Sequence, residues 1–334
     1  MWEPGGCGSQ VKIETEKEKM MKYIDTLREG MHVSDVYLCK NKQIALTKAG
    51  KEYGNLTLQD KTGTIDAKIW DLSSPGVGNF ETLDYIFVDG DVTVFMNSNQ
   101  LNIKRVRKVN EGEYIAADYL PVSSKNIEVM YTELLTLIQG LKNPYLKKLA
   151  DSFFVEDQAF AKAFQFHSAA KSVHHGFVGG LLEHTLSVTK MCKYFAGSYP
   201  QLNRDLLLTA AMFHDIGKIK ELSIFPANDY TDEGQLLGHI IIGTEMVSDR
   251  IRTIPGFPEK LATELKHCIL AHHGELEYGS PKKPAILEAL ALNFADNADA
   301  KLETMIEVLN GAGDNPGWLG YNRLLETNIR KTSE

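Results

Sequence analysis

Residues 53–71 read YGNLTLQDKTGTIDAKIWD, and their pattern decides the first half of the chain. Tyr53–Gln59 and Thr64–Trp70 each alternate apolar and polar residues, the period of a strand with one face on a core. Between them, Asp60-Lys61-Thr62-Gly63 has the composition of a hairpin turn. Working outward, Val36-Tyr37-Leu38 and Gln43–Thr47 have the same short β-like character. Leu72–Phe80 contains Ser73, Ser74, Pro75, Gly76 and Gly78 and reads as a loop. Tyr85–Met96 is a further strand, and Gly90 within it suits a bulge. Asn97-Ser98-Asn99 then turns the chain into Leu101–Val109. About five strands over residues 22–110, with no long helix, predict a small closed all-β barrel.

After Glu111 the period changes. Glu128–Gly140, Pro144–Phe154, Leu181–Phe195, Asp205–His214, Gly238–Ile251, Pro258–Ala271, Lys283–Asp299 and Ala300–Leu309 carry apolar residues at three-and-four spacing. Gly, Pro and Asn separate several of them. The expected organisation is a tail over 1–21, the barrel over 22–110, a helical linker over 111–160, an all-α domain over 161–310 and a C-terminal tail over 311–334.

The 334 residues are 43% hydrophobic and 24% charged, with a net charge of −8, which fits a soluble multidomain protein. That balance argues against coating nucleic acid through bulk positive charge. The charge is uneven: residues 22–110 carry a net +1, and Lys104–Lys108 (KRVRK) is their densest basic cluster. Four widely spaced cysteines predict no disulfide framework and point to a reducing, cytoplasmic setting. No apolar run is long enough for a membrane span, and the N-terminus has no signal-like core.

Eight of the ten histidines lie between His174 and His273. His184 in GGLLEHT, His214-Asp215 in FHDIGK, His239 in LLGHI, His272-His273 in LAHHG and Asp296 in FADNADA each sit in or near the end of an apolar helix. They recur about one helix and one connection apart, so a helical bundle can bring them to one interior point. A lone histidine on an apolar face is ordinarily a core residue with one hydrogen bond. Several imidazoles and two carboxylates in one core are costly to bury without compensation, and a divalent cation supplies it. Adjacent His214 and Asp215 can reach one centre only near a helix end, and Gly217 is expected to provide that end. The two oxygens of Asp215 can bridge two ions. Mixed imidazole and carboxylate ligation suits Mn, Fe, Co, Ni or Zn, and the lack of a cysteine disfavours a structural thiolate site.

These residues carry a resemblance. His184…His214-Asp215…Asp296 is similar to the H…HD…D signature of the HD phosphohydrolases, with His239 and His272 in the places of the extra histidines of two-metal members. FHSAAKSVHHGFVGGLLEHTLSV (166–188) and YGNLTLQDKTGTIDAKIWD (53–71) resemble the YhaM family of 3′→5′ exoribonucleases, over about Tyr23–Leu309. The resemblance implies an OB-fold barrel followed by an all-α HD domain, and a hydrolase that trims single-stranded RNA, with DNA left open, to nucleoside 5′-monophosphates. Asn293 and Asn297 depart from it, standing where relatives more often carry His and Asp.

The resemblance implies a first metal on His184, His214, Asp215 and Asp296. A second would sit on Asp215, His239 and His272, with His273 a ligand or an outer donor. Manganese leads the candidate ions. Two ions about 3.5–4 Å apart would clamp a phosphate and acidify a water. Lys218 is expected to reach the same phosphate. His174 and His175 are expected either to hold a phosphate or to donate from the outer shell, and Asp299 to be structural. On the barrel, Tyr37, Tyr53, Trp70, Tyr85, Phe87 and Phe95 interleave with lysines, and Lys68, Trp70, Lys104 and Arg105 are the candidate nucleic-acid contacts. A Gly- and Pro-bounded apolar helical domain also suits a homo-oligomer. The alternative is a nucleotide or cyclic-dinucleotide phosphohydrolase with a regulatory barrel.

Overall fold

The computed structural model describes residues 21–47, 49–96, 98–171, 175–313 and 317–333. Most of the expected N-terminal tail, Asn97 of the expected turn, Lys48 and His174 lie outside them. The chain divides into two compact units between Tyr119 and Leu120.

The first unit is a closed barrel of β1 (His32–Leu46), β2 (Glu52–Asp60), β3 (Gly63–Ile69), β4 (Tyr85–Phe95) and β5 (Ser98–Lys108), in the order β1-β2-β3-β5-β4. This is the OB-type arrangement expected from residues 53–71. On β2 the alternation buries Gly54, Leu56, Leu58 and Asp60 and turns Tyr53, Asn55 and Thr57 outward. Asp60 closes the hairpin opposite Gly63. Its carboxylate stays buried because it accepts hydrogen bonds from the amides of Ile24 and Thr62, both at 2.7 Å. Tyr37, Leu58, Ile86 and Leu101 fill the interior at 0% exposure. The β4–β5 register shifts between Asp89 and Gly90. A Cβ on Gly90 would lie 2.3 Å from the Asn102 carbonyl oxygen, so the bulge requires glycine there.

The second unit is helical: α1 (Ile127–Gln139), α2 (Pro144–Phe154), α3 (Gln158–Phe166), α4 (Gly180–Ser198), α5 (Arg204–Phe213), α6 (Lys218–Glu221), α7 (Asp232–Arg252), α8 (Glu259–Ala271) and α9 (Leu287–Gly311). A hairpin of β6 (Trp318–Asn322) and β7 (Thr327–Arg330) follows. Asn126, Asn143, Asp157, Asn203 and Thr231 cap α1, α2, α3, α5 and α7 through side-chain oxygens. The helix start expected at Gly238 is a kink inside α7, where Gly238 has φ +74°. The break expected between Asp299 and Ala300 is absent: α9 runs unbroken, because alanines and no glycine or proline occupy that stretch. Leu134, Phe154, Phe213, Leu265 and Leu292 anchor one core that packs α1, α2, α5, α8 and α9 together. Among the described residues no helix is long and apolar enough to cross a membrane, and Cys39, Cys192 and Cys268 are free and buried.

Candidate metal centre

Five histidines reach the centre by the same device. His214 and His272 stand immediately after α5 and α8, where the helical hydrogen-bond ladder ends. The Nδ1 of His214 lies 2.8 Å from the Ala211 carbonyl oxygen, and that of His272 lies 2.7 Å from the Ile269 carbonyl oxygen. His273 Nδ1 lies 2.9 Å from the Tyr278 carbonyl oxygen. A carbonyl can only accept, so each Nδ1 carries the proton and each Nε2 presents a lone pair. Carboxylates hold the Nδ1 proton of the other two rings. Asp299 Oδ2 accepts from His184 Nδ1 at 2.7 Å, and Glu221 Oε1 accepts from His239 Nδ1 at 2.9 Å.

The Nε2 atoms of His184, His214, His239 and His272 converge on Asp215, which is 2% exposed, and His273 groups with His239 and His272. Its Oδ2 lies 3.3 Å from both His184 Nε2 and His214 Nε2. Its Oδ1 lies 3.4 Å from His239 Nε2 and 3.6 Å from His272 Nε2. Asp296 Oδ1 joins the first group, 3.2 Å from His184 Nε2 and 3.7 Å from His214 Nε2. One carboxylate therefore divides two sets of donors. Asp215 Oδ1, His239 Nε2 and His272 Nε2 are buried with no hydrogen-bond partner. Each such orphan costs about 1–3 kcal/mol, and all three are electron-pair donors aimed at one point. Metal–ligand bonds of about 2.1 Å put neighbouring donors roughly 3.0–3.4 Å apart, close to the spacings seen here. The residues fit a divalent metal.

The electrostatics differ from donor to donor. Burial works against charge on His184, but hydrogen bonds to Asp215, Asp296 and Asp299 outweigh it and hold its pKa well above the usual range. Burial also opposes ionisation of Asp215, and the charge of Lys218 with the hydrogen bonds around it outweighs this, holding that carboxyl well below its usual value. Burial pushes His272 down, and burial with the neighbouring His272 takes His273 down to about 4. Those two rings are neutral near pH 7, the form that ligates.

His184, His214, Asp215, His239, His272, His273 and Asp296 are thus brought together. Lys218 Nζ lies 2.7 Å from Asp215 Oδ2, and Lys218 lines a cavity of about 470 Å³ beside the donors. Burial alone would lower its pKa, but Asp215 keeps it raised, so it stays charged. His175 is buried, with Nε2 3.0 Å from Asp299 Oδ2, so Asp299 serves both His175 and His184. Asp299, expected to be only structural, and Glu221, not singled out in the sequence, are the carboxylates that anchor the His184 and His239 rings. Asp299 had a signal: three residues after Asp296, it shares that face of α9. Glu221 had none, since it meets His239 across 18 residues of sequence. The expected role of Gly217 is corrected: α5 ends at Phe213, four residues earlier. A Cβ on Gly217 would lie 2.0 Å from the His239 carbonyl oxygen, so its glycine lets α7 approach.

On the barrel, Trp70 is 51% exposed, stacks on Tyr53 at 5.4 Å and donates to Asn102 Oδ1 at 2.9 Å. Lys68 Nζ donates to Asn55 Oδ1 at 2.5 Å and lies 5.3 Å from the Tyr53 ring centre. Lys104 pairs with Asp91 at 2.5 Å, and Arg105 is exposed. Tyr37, by contrast, is inside the barrel.

The HD domain family matches residues 181–301. The 3′-5′ exoribonuclease YhaM of Bacillus velezensis is 35% identical over 291 residues, 87% of this chain and 91% of that protein. The protein of the same name from Bacillus subtilis is 34% identical over the same shares. The chain belongs to the YhaM family. The solved second OB-fold domain of replication protein A from Methanococcus maripaludis is 17% identical and covers 28% of this chain and 98% of its own, with a TM-score of 0.23. In this YhaM-family chain every proposed donor, from His184 to Asp296, falls inside the segment matched by the HD family.

Proposed function

We propose that this chain is a metal-dependent 3′→5′ exoribonuclease that holds single-stranded RNA on its barrel and releases nucleoside 5′-monophosphates in its helical unit. One observation carries the reading: imidazoles gather about both oxygens of Asp215, those at Oδ1 buried without a hydrogen-bond partner, beside a cavity, in a chain whose relatives are named 3′-5′ exoribonucleases. We assign two divalent ions to the centre, manganese foremost, with cobalt, iron, nickel and zinc compatible. One set of donors is His184, His214, Asp215 and Asp296; the other is Asp215, His239 and His272, flanked by His273. When bound, such ions polarise a phosphate and acidify a water.

The chain's own residues do the rest. Asp215 fixes the spacing of the two donor sets because its oxygens belong to one rigid carboxylate. Asp299 and Glu221 lock the rings of His184 and His239 and keep their Nε2 atoms inward. Lys218 holds a positive charge at the cavity wall, where negative charge develops on the phosphate. His175 acts through Asp299 as a positioning residue, and His174 keeps the two roles expected from the sequence, a phosphate contact or an outer donor. Tyr53, Trp70 and Lys68 form an aromatic and cationic platform suited to stacking bases, with Lys104 and Arg105 at its flank. The cytoplasm is the setting we assign.

The test is 5′-labelled single-stranded RNA with manganese-loaded protein. A ladder shortening from the 3′ end, with release of nucleoside 5′-monophosphates, is expected, and chelation should stop it. Hydrolysis of a mononucleotide or cyclic dinucleotide with the oligomer left intact would select the nucleotide phosphohydrolase instead.

A further inference from the structure

The region expected to be a C-terminal tail is a built wall of the active-site cavity. β6 and β7 pair as a hairpin, and Ile329, 2% exposed, anchors it. In its turn, Asn322 Oδ1 accepts hydrogen bonds from the amides of Leu324 and Leu325, at 2.9 and 3.0 Å. The turn therefore holds two consecutive leucines in place, where Gly, Asn, Asp or Ser are usual. Both line the cavity that also holds Asp215, Asp296 and Lys218, and Leu324 is 59% exposed.

The lining has two chemically different parts. One is the carboxylates, imidazoles and Lys218. The other is Leu324 and Leu325 of the turn with Ala300 of α9, beside which Lys301 and Thr304 also line the cavity. Ala300 lies one helical turn beyond Asp296, about 6 Å along α9. A volume of about 470 Å³ falls in the small-molecule range of about 300–1,000 Å³, with room for one nucleotide and not for a strand. A nucleotide is divided in the same way, with an anionic phosphate at one end and a flat apolar base face at the other.

We infer that the C-terminal hairpin is the base-binding wall of this cavity, and that Leu324 and Leu325 pack against the base of the 3′-terminal nucleotide. The inference rests on the exoribonuclease reading. Seating the terminal base there puts the phosphodiester on its 5′ side at the metal donors, and so sets the product as a mononucleotide. Asn322 is a positioning residue, acting through the two leucines.

The experiment compares the full-length protein with its Leu324→Ser/Leu325→Ser variant, both loaded with manganese. The substrates are one single-stranded RNA ending in adenosine and the same RNA ending in an abasic ribose. For release of the first nucleotide, the variant should lose about tenfold in kcat/KM on the adenosine-ended RNA, mainly through KM. On the abasic-ended RNA, both proteins should be equal and as slow as the variant is on the adenosine-ended one. Asn322→Ala should show a smaller loss of the same kind, with bound metal unchanged. Equal fractional losses on both RNAs would make the hairpin merely structural and overturn the inference, as would no loss on either. If the unaltered protein releases nothing from either RNA, the exoribonuclease reading itself fails and takes this inference with it.

Discussion

In the barrel, Lys104 meets Asp91, Lys108 meets Asp84, Arg107 meets Glu113 and Lys61 meets Asp118, each at 2.8 Å or less. In the helical unit, Asp215 Oδ1, His239 Nε2 and His272 Nε2 face one another with no partner. The basic run KRVRK, the most conspicuous charge in the barrel sequence, is thus largely neutralised by its own unit. The net-acidic half keeps its polar atoms waiting for a cation. Charge density in a sequence is therefore a poorer guide to a ligand than the pairing of each charge in the fold.

Three sets of substitutions would break or sharpen that contrast. The largest effect belongs to Lys218→Ala, which removes the cation at the cavity wall. Turnover should fall by about 10²–10³ while metal content measured at saturating manganese holds. Loss of metal together with activity would mean that Lys218 serves Asp215 alone. Asp299→Ala and Glu221→Ala come next. Each removes the anchor of one ligating ring, and each should weaken manganese binding by about 10–100-fold, read by calorimetry. Unchanged affinity would show that packing alone orients the rings. The smallest effects lie on the barrel and differ from each other. Trp70→Ala should weaken single-stranded RNA binding by about 1–3 kcal/mol and leave dinucleotide hydrolysis unchanged. Lys104→Ala, already paired with Asp91, should change RNA affinity by no more than about twofold and the salt slope by less than about one unit. A larger loss from Lys104 than from Trp70 would reverse the order of charge and stacking in this barrel.

Much of this was legible in the sequence. The hairpin at Asp60–Gly63 and the bulge at Gly90 are written in local chemistry, because turns and bulges are set by residues adjacent in the chain. The donors were legible because imidazoles and carboxylates in apolar helices need compensation wherever the helices end up. What escaped depends on three-dimensional approach. Gly217 reads as a helix stop, yet its reason is the backbone of α7 lying against it. The Asp-Asn-Ala-Asp-Ala stretch of α9 reads as a boundary, yet it holds no glycine or proline and the helix runs through it. The hairpin at 318–330 left little trace, since its strands are short and Gly320 interrupts the alternation.

The central claim is that Asp215 divides two metal sites. Calorimetric titration of manganese into the metal-free protein and into Asp215→Asn, at two pH values, tests it most directly. The unaltered protein should bind two ions per chain. Its affinity should rise with pH, because the proton held on His184 by its three carboxylate neighbours competes with the cation. Asp215→Asn should bind neither ion at comparable concentration. Two ions bound to that variant with unchanged affinity would contradict the claim.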